Sequence, residues 1–190
     1  MNKLLRHLMV VGLLLWGWCA PMASQALAVE SAYAASVEHE VKAAFIHNFT
    51  KFIDWSQDSF KTDTSPIRIG ILGQGPINEP LIKMNGIRVQ KRSLEISSID
   101  NLNNAREFHI IFINRSEKKQ IRSILRDLKG TGILTIGDMP DFAEQCGIIN
   151  FFLQSGKVRF EINIEASRQE NLQISSKLLR LARIVNTQCN

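Results

Sequence analysis

Two short, almost wholly apolar segments in the middle of the chain constrain its fold more than any other feature. Residues 108–113 and 133–136 are too short for buried helices and carry few polar side chains, which is typical of central strands covered on both faces. Between them, the apolar residues of segment 121–128 recur at helical spacing, and Gly130 follows as a stop signal. This strand–helix–strand order predicts an α/β fold with helices on the faces of a sheet.

The flanking segments extend this pattern into one domain. Four of them have strand composition: Pro66–Leu72, Ile87–Glu95, Gly147–Gln154 and Lys157–Ile164. The last two are separated by Ser155-Gly156, which predicts a hairpin, and apolar spacing predicts a final helix over residues 175–186. We therefore expect a single α/β domain over residues 37–190, with a mixed central sheet of about six strands, flanking helices, and a C-terminal hairpin and helix.

The N-terminus has the three parts of an export signal. Lys3 and Arg6 precede the apolar run Leu8–Trp18, and Ala26-Leu27-Ala28 supplies a small-x-small cleavage pattern. We predict a signal peptide over residues 1–28, a flexible leader over 29–36, and a soluble periplasmic protein. Cys19 leaves a lipoprotein open as the alternative.

The charge pattern argues against a nucleic-acid partner. The chain has a formal net charge of +5, and two of its 23 basic residues lie in the predicted signal peptide. The others are spread along the chain with acidic residues among them, as on solvated helix and strand faces.

Enzyme motifs are missing from the sequence. Gly73-Gln74-Gly75 follows a strand as a dinucleotide-binding turn does, but Asn78 stands where a third small residue is needed, and Pro76 removes one amide. The pattern predicts a strand–helix turn with positive φ at glycine. No nucleophile–base pair and no metal-ligand spacing stands out. We expect no enzymatic activity, no cofactor and no metal.

The first predicted helix, Val37–Trp55, carries polar residues within an apolar stripe. Asn48 falls inside the stripe, Lys42 lies at its edge, and Trp55 returns to it. An amide on an apolar face needs a partner. Asn48 either fixes a neighbouring loop or lines a small polar pocket with Lys42, and Trp55 either closes the stripe or is an exposed binding aromatic.

Three further residues near the hairpin are candidates for binding a ligand or a partner. Glu161 and Asn163 share one face of the last strand with Arg159, and that face is either solvated, as edge strands usually are, or part of a groove. Phe151 lies on the opposite arm. Cys146 and Cys189 either form a disulfide in an oxidising compartment or remain free thiols.

Residues 41–55 resemble the opening helix of the YfiR family of periplasmic proteins. Later blocks match that family in the same order: Leu134–Asp138, Gly147–Phe151, Arg159–Asn163 and Leu178–Ala182. The resemblance covers nearly the whole mature chain. It implies one α/β domain without enzymatic activity that represses an inner-membrane diguanylate cyclase by binding its periplasmic part, with cyclic di-GMP and biofilm formation as the output.

The resemblance also implies an outer-membrane lipoprotein as a second partner that relieves the repression. A homodimer is compatible with the sequence. The alternative function is a periplasmic sensor or carrier that binds a small ligand and acts with a membrane receptor. The chain departs from the family in one respect that concerns redox control. Gly70 and Phe108 stand where the well-studied family member has cysteines, so redox control through that member's disulfides is not expected here.

Overall fold

The computed structural model describes residues 20–189, which belong to two compact units, residues 1–37 and 38–190. The described part of the first unit is helical and belongs to helix α1, Ala20–Phe49. No helix in the described residues is long and apolar enough to cross a membrane. The predicted signal peptide lies partly outside the described residues, and its cleavage position stays a prediction.

The second unit consists of a sheet with helices on its faces. Four more helices follow α1: α2 Asn78–Ile82, α3 Ile121–Leu128, α4 Ile164–Gln169 and α5 Ser176–Leu179. The strands are β1 Ile53–Asp54, β2 Ile67–Leu72, β3 Arg88–Val89, β4 Arg92–Ile99, β5 Ile110–Ile113, β6 Leu134–Gly137, β7 Ile149–Gln154, β8 Lys157–Asn163, β9 Gln173–Ile174 and β10 Arg183–Val185.

The main sheet has eight strands in the order β10-β8-β7-β6-β5-β2-β4-β3. Neighbours from β4 to β7 are parallel, β7 and β8 form the antiparallel hairpin predicted around Ser155-Gly156, and β10 runs parallel to β8. The predicted α/β class with a mixed sheet is confirmed, although the sheet has eight strands rather than about six. A separate antiparallel pair joins β1 to β9.

Strand β5 shows why the central apolar segments are buried. Its residues alternate between two hydrophobic clusters: Ile110 and Phe112 belong to one, and Ile111 and Ile113 to the other. The first cluster contains the buried face of α1 and the second contains α3. Each face of the sheet is therefore covered by a helix, which is the arrangement that an uninterrupted apolar strand requires.

Aromatic side chains attach α1 to the hairpin. Phe49 lies against Phe151 with ring centroids 5.7 Å apart and against Phe160 at 5.0 Å. Phe45, one turn earlier, contacts the same two rings at 6.1 and 5.5 Å. Phe151, a predicted binding residue, is thus mainly a core residue between α1 and the sheet.

The first helix differs from the prediction at both ends. Residues 29–36 are helical rather than an irregular leader, and the helix ends at Phe49 instead of Trp55. Ile53 and Asp54 pair with β9, and the amide of Ser175 donates to the carbonyl of Phe52. Pairing with a distant segment therefore outweighs the helical spacing of Phe52 and Trp55.

The predicted C-terminal helix was wrong in its second half. Helix α5 ends at Leu179, and residues 183–185 form β10, which pairs with Glu161–Asn163 of β8. Leu181, which lies within the predicted helix, is 69% exposed. The predicted strand over 87–95 is likewise divided, because Gln90 adopts positive φ in a tight turn between β3 and β4.

A disulfide joins Cys146 to Cys189 across a Cα–Cα distance of 5.7 Å. The bond closes a loop with a sequence separation of 43 residues. It fixes the C-terminal tail to the loop that precedes β7. Gln169 Nε2 also donates to the Cys189 carbonyl, at 2.6 Å.

We predict that replacing both cysteines, as C146S/C189S, lowers the free energy of unfolding by about 2–4 kcal/mol, because the unfolded chain regains the entropy of an open loop. Equilibrium unfolding in guanidinium chloride measures the change. A reductant should lower the stability of the wild type towards that of the variant and leave the variant unchanged. Equal stability of the wild type with and without reductant would contradict this.

Candidate functional site

Loops that carry polar residues follow three neighbouring parallel strands, β2, β5 and β6, at their carboxyl ends. Residues 73–76 follow β2, Asn114 and Arg115 follow β5, and Asp138 follows β6. In the sheet, β4 lies on one side of β2, and β5, the next strand along the chain, lies on the other side of β2. In open α/β sheets, such a reversal of strand order opens a crevice outside the carboxyl ends of the strands, where ligands bind.

Lys42 of α1 lies at the carboxyl ends of these strands, next to Asp138. Its ammonium contacts the Glu38 carboxylate at 2.5 Å and the Asp138 carboxylate at 3.0 Å. The side chain is 4% exposed, so the ion pairs with these two carboxylates replace its lost hydration. Burial, and secondly the charge of Lys42, lower the pKa of the neighbouring His39, which favours the neutral imidazole.

Asn114 organises the glycine turn. Its Nδ2 donates to the carbonyls of Leu72 and Gly73 at 3.1 and 3.2 Å and to Asn78 Oδ1 at 3.0 Å. Gly73 adopts φ +80°, so the predicted positive-φ turn is confirmed. Asn78, which breaks the dinucleotide motif, is part of this hydrogen-bond network.

These residues line two adjoining depressions on the surface. The smaller, of about 240 Å³, lies between the glycine turn, Asn114, Arg115 and the Lys42 ion pairs. The larger, of about 340 Å³, shares Glu38, Lys42, Arg115 and Asp138 with it and extends to β7, β8 and β10.

Glu161 lies at the far end of the larger depression. Its carboxylate accepts from Asn150 Nδ2 at 2.8 Å and from Arg183 Nε at 2.9 Å, and Arg183 Nη2 also donates to it. The Arg183 guanidinium lies 4.1 Å from the ring centroid of Phe152. Asn150 Oδ1 is buried and has no partner in the described part of the chain, so one acceptor at this end is unused.

The structure brings together three of the six predicted binding residues. Lys42, Phe151 and Glu161 line the larger depression. Asn48 does not: it is exposed and accepts a hydrogen bond from Lys51 Nζ at 3.0 Å. The predicted pocket formed by Asn48 and Lys42 is therefore wrong, because Lys42 faces the sheet while Asn48 faces solvent.

Asn163 is buried, but it has a structural role. Its Oδ1 caps α4 by accepting from the Ala166 amide at 3.0 Å, and its Nδ2 donates to the carbonyls of Ala143 and Thr187 at 2.8 and 3.3 Å. Of the two alternatives for this strand face, the solvated one fails at Glu161 and Asn163, which are buried, although Arg159 on the same face is exposed. The edge of β8 is not open either, because β10 pairs with it.

Trp55 belongs to an aromatic cluster away from both depressions. Its indole donates to the His109 carbonyl at 3.3 Å, and Phe60 stacks on the His109 ring with centroids 4.4 Å apart. His109 Nδ1 accepts from the Arg68 amide and Nε2 donates to the Ser59 carbonyl, both at 3.0 Å. Both ring nitrogens are used by the neutral imidazole, so protonation would break the bond to Arg68.

Burial above all, with smaller contributions from the charges of Arg68 and Arg92, lowers the pKa of His109. As the pH falls below about 6.5, the unfolded chain therefore binds protons that the folded chain does not, and the free energy of unfolding decreases. We predict that His109→Gln loses less stability than the wild type between about pH 7.5 and pH 5. Urea unfolding at both pH values measures this.

His39 and His47, whose pKa values are also lowered, are present in both proteins. The difference between wild type and variant therefore isolates His109. Equal losses of stability would show that His109 does not contribute to the acid sensitivity.

The sequence did not identify Asp138, Asn150 or Arg183 as site residues. Asp138 carried a usable signal, since it directly follows a buried parallel strand whose carboxyl end lies at the crevice. Arg183 was hidden by the mistaken helix over 175–186. Within the described residues, no group of three or more His, Cys, Asp and Glu side chains is arranged to hold a metal ion.

The family model DUF4154, described as YfiR/HmsC-like, matches residues 39–183. The chain therefore belongs to the YfiR/HmsC-like family, as its resemblance implied. No curated protein matches the chain by sequence. A crystal structure of a conserved domain protein from Vibrio cholerae O1 biovar El Tor is similar with a TM-score of 0.48 and 10% identity, over 63% of this chain and 55% of that one. The chain thus spans about half the length of that protein.

We predict that Lys42→Ala lowers the free energy of unfolding by about 3 kcal/mol, because Glu38 and Asp138 are left without their shared cation. Urea unfolding measures the effect. Lys51→Ala is the matched control, since Lys51 is exposed and bonds to Asn48, and it should change stability by less than about 0.5 kcal/mol. Similar losses in the two variants would contradict a stabilising role for the buried ion pairs.

Proposed function

We propose that this protein is a periplasmic regulator that binds the periplasmic part of a membrane-bound diguanylate cyclase and represses it. The observation that carries the proposal is the YfiR/HmsC-like family match over residues 39–183. The resemblance of this chain to periplasmic repressors of that family suggests a membrane diguanylate cyclase as the partner. Lower cyclic di-GMP and weaker biofilm formation are the expected outputs.

The edge of the main sheet at β10 supports a binding role. Strand β10 has β8 on one side and no strand on the other within the described residues. Such an edge presents free amide and carbonyl groups, and partners use these groups by adding a strand. Apolar side chains accompany this edge: Leu181 is 69% exposed and Ile184 is 38% exposed.

The contacts of β10 hold this edge in place. Arg183 donates to the buried Glu161 carboxylate from two of its nitrogens. Its guanidinium also covers Phe152. The strand is therefore ordered before a partner arrives, which reduces the entropy lost on binding.

Repression would follow from a population shift. Binding at β10 stabilises the inactive state of the cyclase, and its effect is limited by the difference in affinity for the two states. An outer-membrane lipoprotein that competes for this protein would release the cyclase. The activity thus depends on which partner occupies the β10 edge.

Deletion of the gene followed by complementation tests the proposal. Cyclic di-GMP should rise on deletion and return to the starting level with the wild-type gene. We predict that Leu181→Glu fails to restore it, because a carboxylate introduced into an apolar contact must be desolvated without a partner. Cellular cyclic di-GMP, measured by mass spectrometry at equal protein levels, gives the readout.

Ile82→Glu is the control, because Ile82 is 45% exposed and lies on α2, outside the β10 edge. This variant should restore repression.

An unchanged cyclic di-GMP level on deletion would contradict the proposed function. Full repression by Leu181→Glu would contradict the β10 edge as the binding surface. Chromatography of the purified protein tests whether a second copy of this chain binds the β10 edge instead. A dimer that Leu181→Glu dissociates would show that this edge mediates self-association.

A further inference from the structure

The net positive charge of the second compact unit is concentrated in one short segment. Residues 38–190 contain 21 basic and 17 acidic residues, and residues 115–129 contain six of the basic and two of the acidic ones. The rest of this unit is therefore balanced, with 15 residues of each sign. Such a local excess of one sign attracts a partner of the opposite sign. The six cations of the segment are all exposed: Arg115, Lys118, Lys119, Arg122, Arg126 and Lys129.

Three of these cations form a basic flank of α3 beside a depression of about 360 Å³. Arg122, Arg126 and Lys129 line this depression, and Leu125 lines it between them. Residues spaced by four and by three lie on the same side of a helix, one turn apart. Asp127 is next to Arg126 in sequence but does not line the depression. Like charges at this spacing destabilise a helix, and a bound anion offsets that repulsion.

The cations of the basic flank have mainly neutral partners. Within the described residues, their one ion pair is long, with Arg126 Nε 3.9 Å from the Asp127 carboxylate. Arg122 Nε donates to Gln145 Oε1 at 3.4 Å, and Lys129 Nζ donates to a backbone carbonyl of the C-terminal tail at 3.3 Å. A guanidinium has five donors and an ammonium has three, so most of the donors on this flank are free for a ligand.

Two carboxylates also line the depression, and one of them is already used. Glu170 accepts from the amides of Gly130 and Gly132, both at 2.8 Å, so its charge is held in the turn that follows α3. Glu144 is exposed and is the other carboxylate of the lining. With three cations against these two carboxylates, the depression keeps an excess of positive charge.

The apolar residues and the shape of this surface favour a polypeptide over a membrane. The apolar side chains of α3, Ile121, Ile124, Leu125 and Leu128, are all buried, so the helix has no apolar face to insert among lipids. A bilayer surface is broad, whereas the three cations line a depression that a narrow chain can enter. Two of the three are arginines, whose planar fork matches a carboxylate. Side-chain carboxylates of a polypeptide are therefore the complementary groups.

We propose that the basic flank of α3 binds an acidic polypeptide segment of a protein partner. Carboxylates of the segment pair with Arg122 and Arg126, and its backbone follows the depression between α3, α4 and the C-terminal tail. Gln145 and Gln169 belong to the same lining, and their amide groups suit the peptide groups of such a segment. No residue of β10 lines the depression, so this binding does not depend on the proposed function.

Titration of the purified protein into a fluorescently labelled oligoglutamate peptide, followed by anisotropy, tests the surface. We predict saturable binding that weakens as the salt concentration is raised. The double variant Arg122→Gln/Arg126→Gln should weaken the binding at least about tenfold, as expected for the loss of charge-assisted contacts. Its thermal unfolding should remain close to that of the wild type, because both side chains are exposed.

Lys157→Gln/Arg159→Gln is the matched control, because it removes the same charge from two exposed residues of β8. It should bind the peptide like the wild type. Amide NMR shifts on titration should be largest around Gln145 and Gln169, which gives a readout that does not require a variant. Equal weakening by the two double variants, the absence of saturable binding, or shifts confined to other regions would each overturn the proposal.

Vesicles of phosphatidylglycerol are the second probe. If the vesicles bind and the peptide does not, and if Arg122→Gln/Arg126→Gln abolishes the vesicle binding, the flank serves a membrane surface and the proposal is overturned. Leu181→Glu should leave the binding of the peptide unchanged, because Leu181 does not line the depression. A failure of this proposal is therefore distinguishable from a failure at the β10 edge.

Discussion

The buried ammonium of Lys42 determines how residues 38–49 of the first helix meet the sheet. It joins Glu38, one turn earlier on α1, to Asp138 at the end of β6. A buried cation without these two carboxylates would be costly, and so would the carboxylates without the cation. The aromatic contacts of Phe45 and Phe49 attach the same helix to the hairpin. Apolar packing thus holds α1 against the sheet, and the ion pairs fix its position at the carboxyl ends of the strands.

A buried carboxylate, that of Glu161, has a similar role at the opposite end of the larger depression. Glu161 is held by Asn150 from β7 and by Arg183 from β10. Since Asn150 comes from the other arm of the hairpin, the three strands are linked by side chains as well as by the sheet. The depression is therefore bounded at each end by an ionic contact between elements that are distant in sequence, which makes its shape a property of the whole domain.

The sequence predicted the parts of the fold that depend on local patterns. The apolar β5, the amphipathic α3 and the hairpin at Ser155-Gly156 have patterns that match a single element each, and all three are present. The apolar spacing of residues 53–54 and 183–185 fits a helix as well as a strand, so the pattern predicts helices there. Their pairing with β9 and β8 is decided by segments far along the chain, which periodicity does not encode.

The same distinction applies to the site. Lys42 could be selected from the sequence because it lies at the edge of an apolar stripe, and Glu161 because it shares one strand face with Arg159 and Asn163. Their partners Asp138 and Arg183 lie 96 and 22 residues away along the chain, and only the fold brings each pair together. Asn48 falls inside the same predicted stripe but lies on the surface, because the buried face of this helix is formed by Lys42, Ala43, Ile46 and Phe49. A polar residue in or beside an apolar pattern is therefore only a candidate for a buried contact, and the fold decides which candidates are buried and with which partner.

The C-terminal region is fixed at two points while its outer edge stays open. Arg183 anchors β10 to Glu161, and the disulfide to Cys146 anchors the tail at Cys189. Edge strands are commonly protected by charge, by proline or by a covering loop. Here Leu181 and Ile184 are exposed beside a strand that Arg183 anchors. An anchored strand with exposed apolar side chains is a cost for an isolated protein and an advantage for one that binds a partner, because the surface is already formed when the partner arrives.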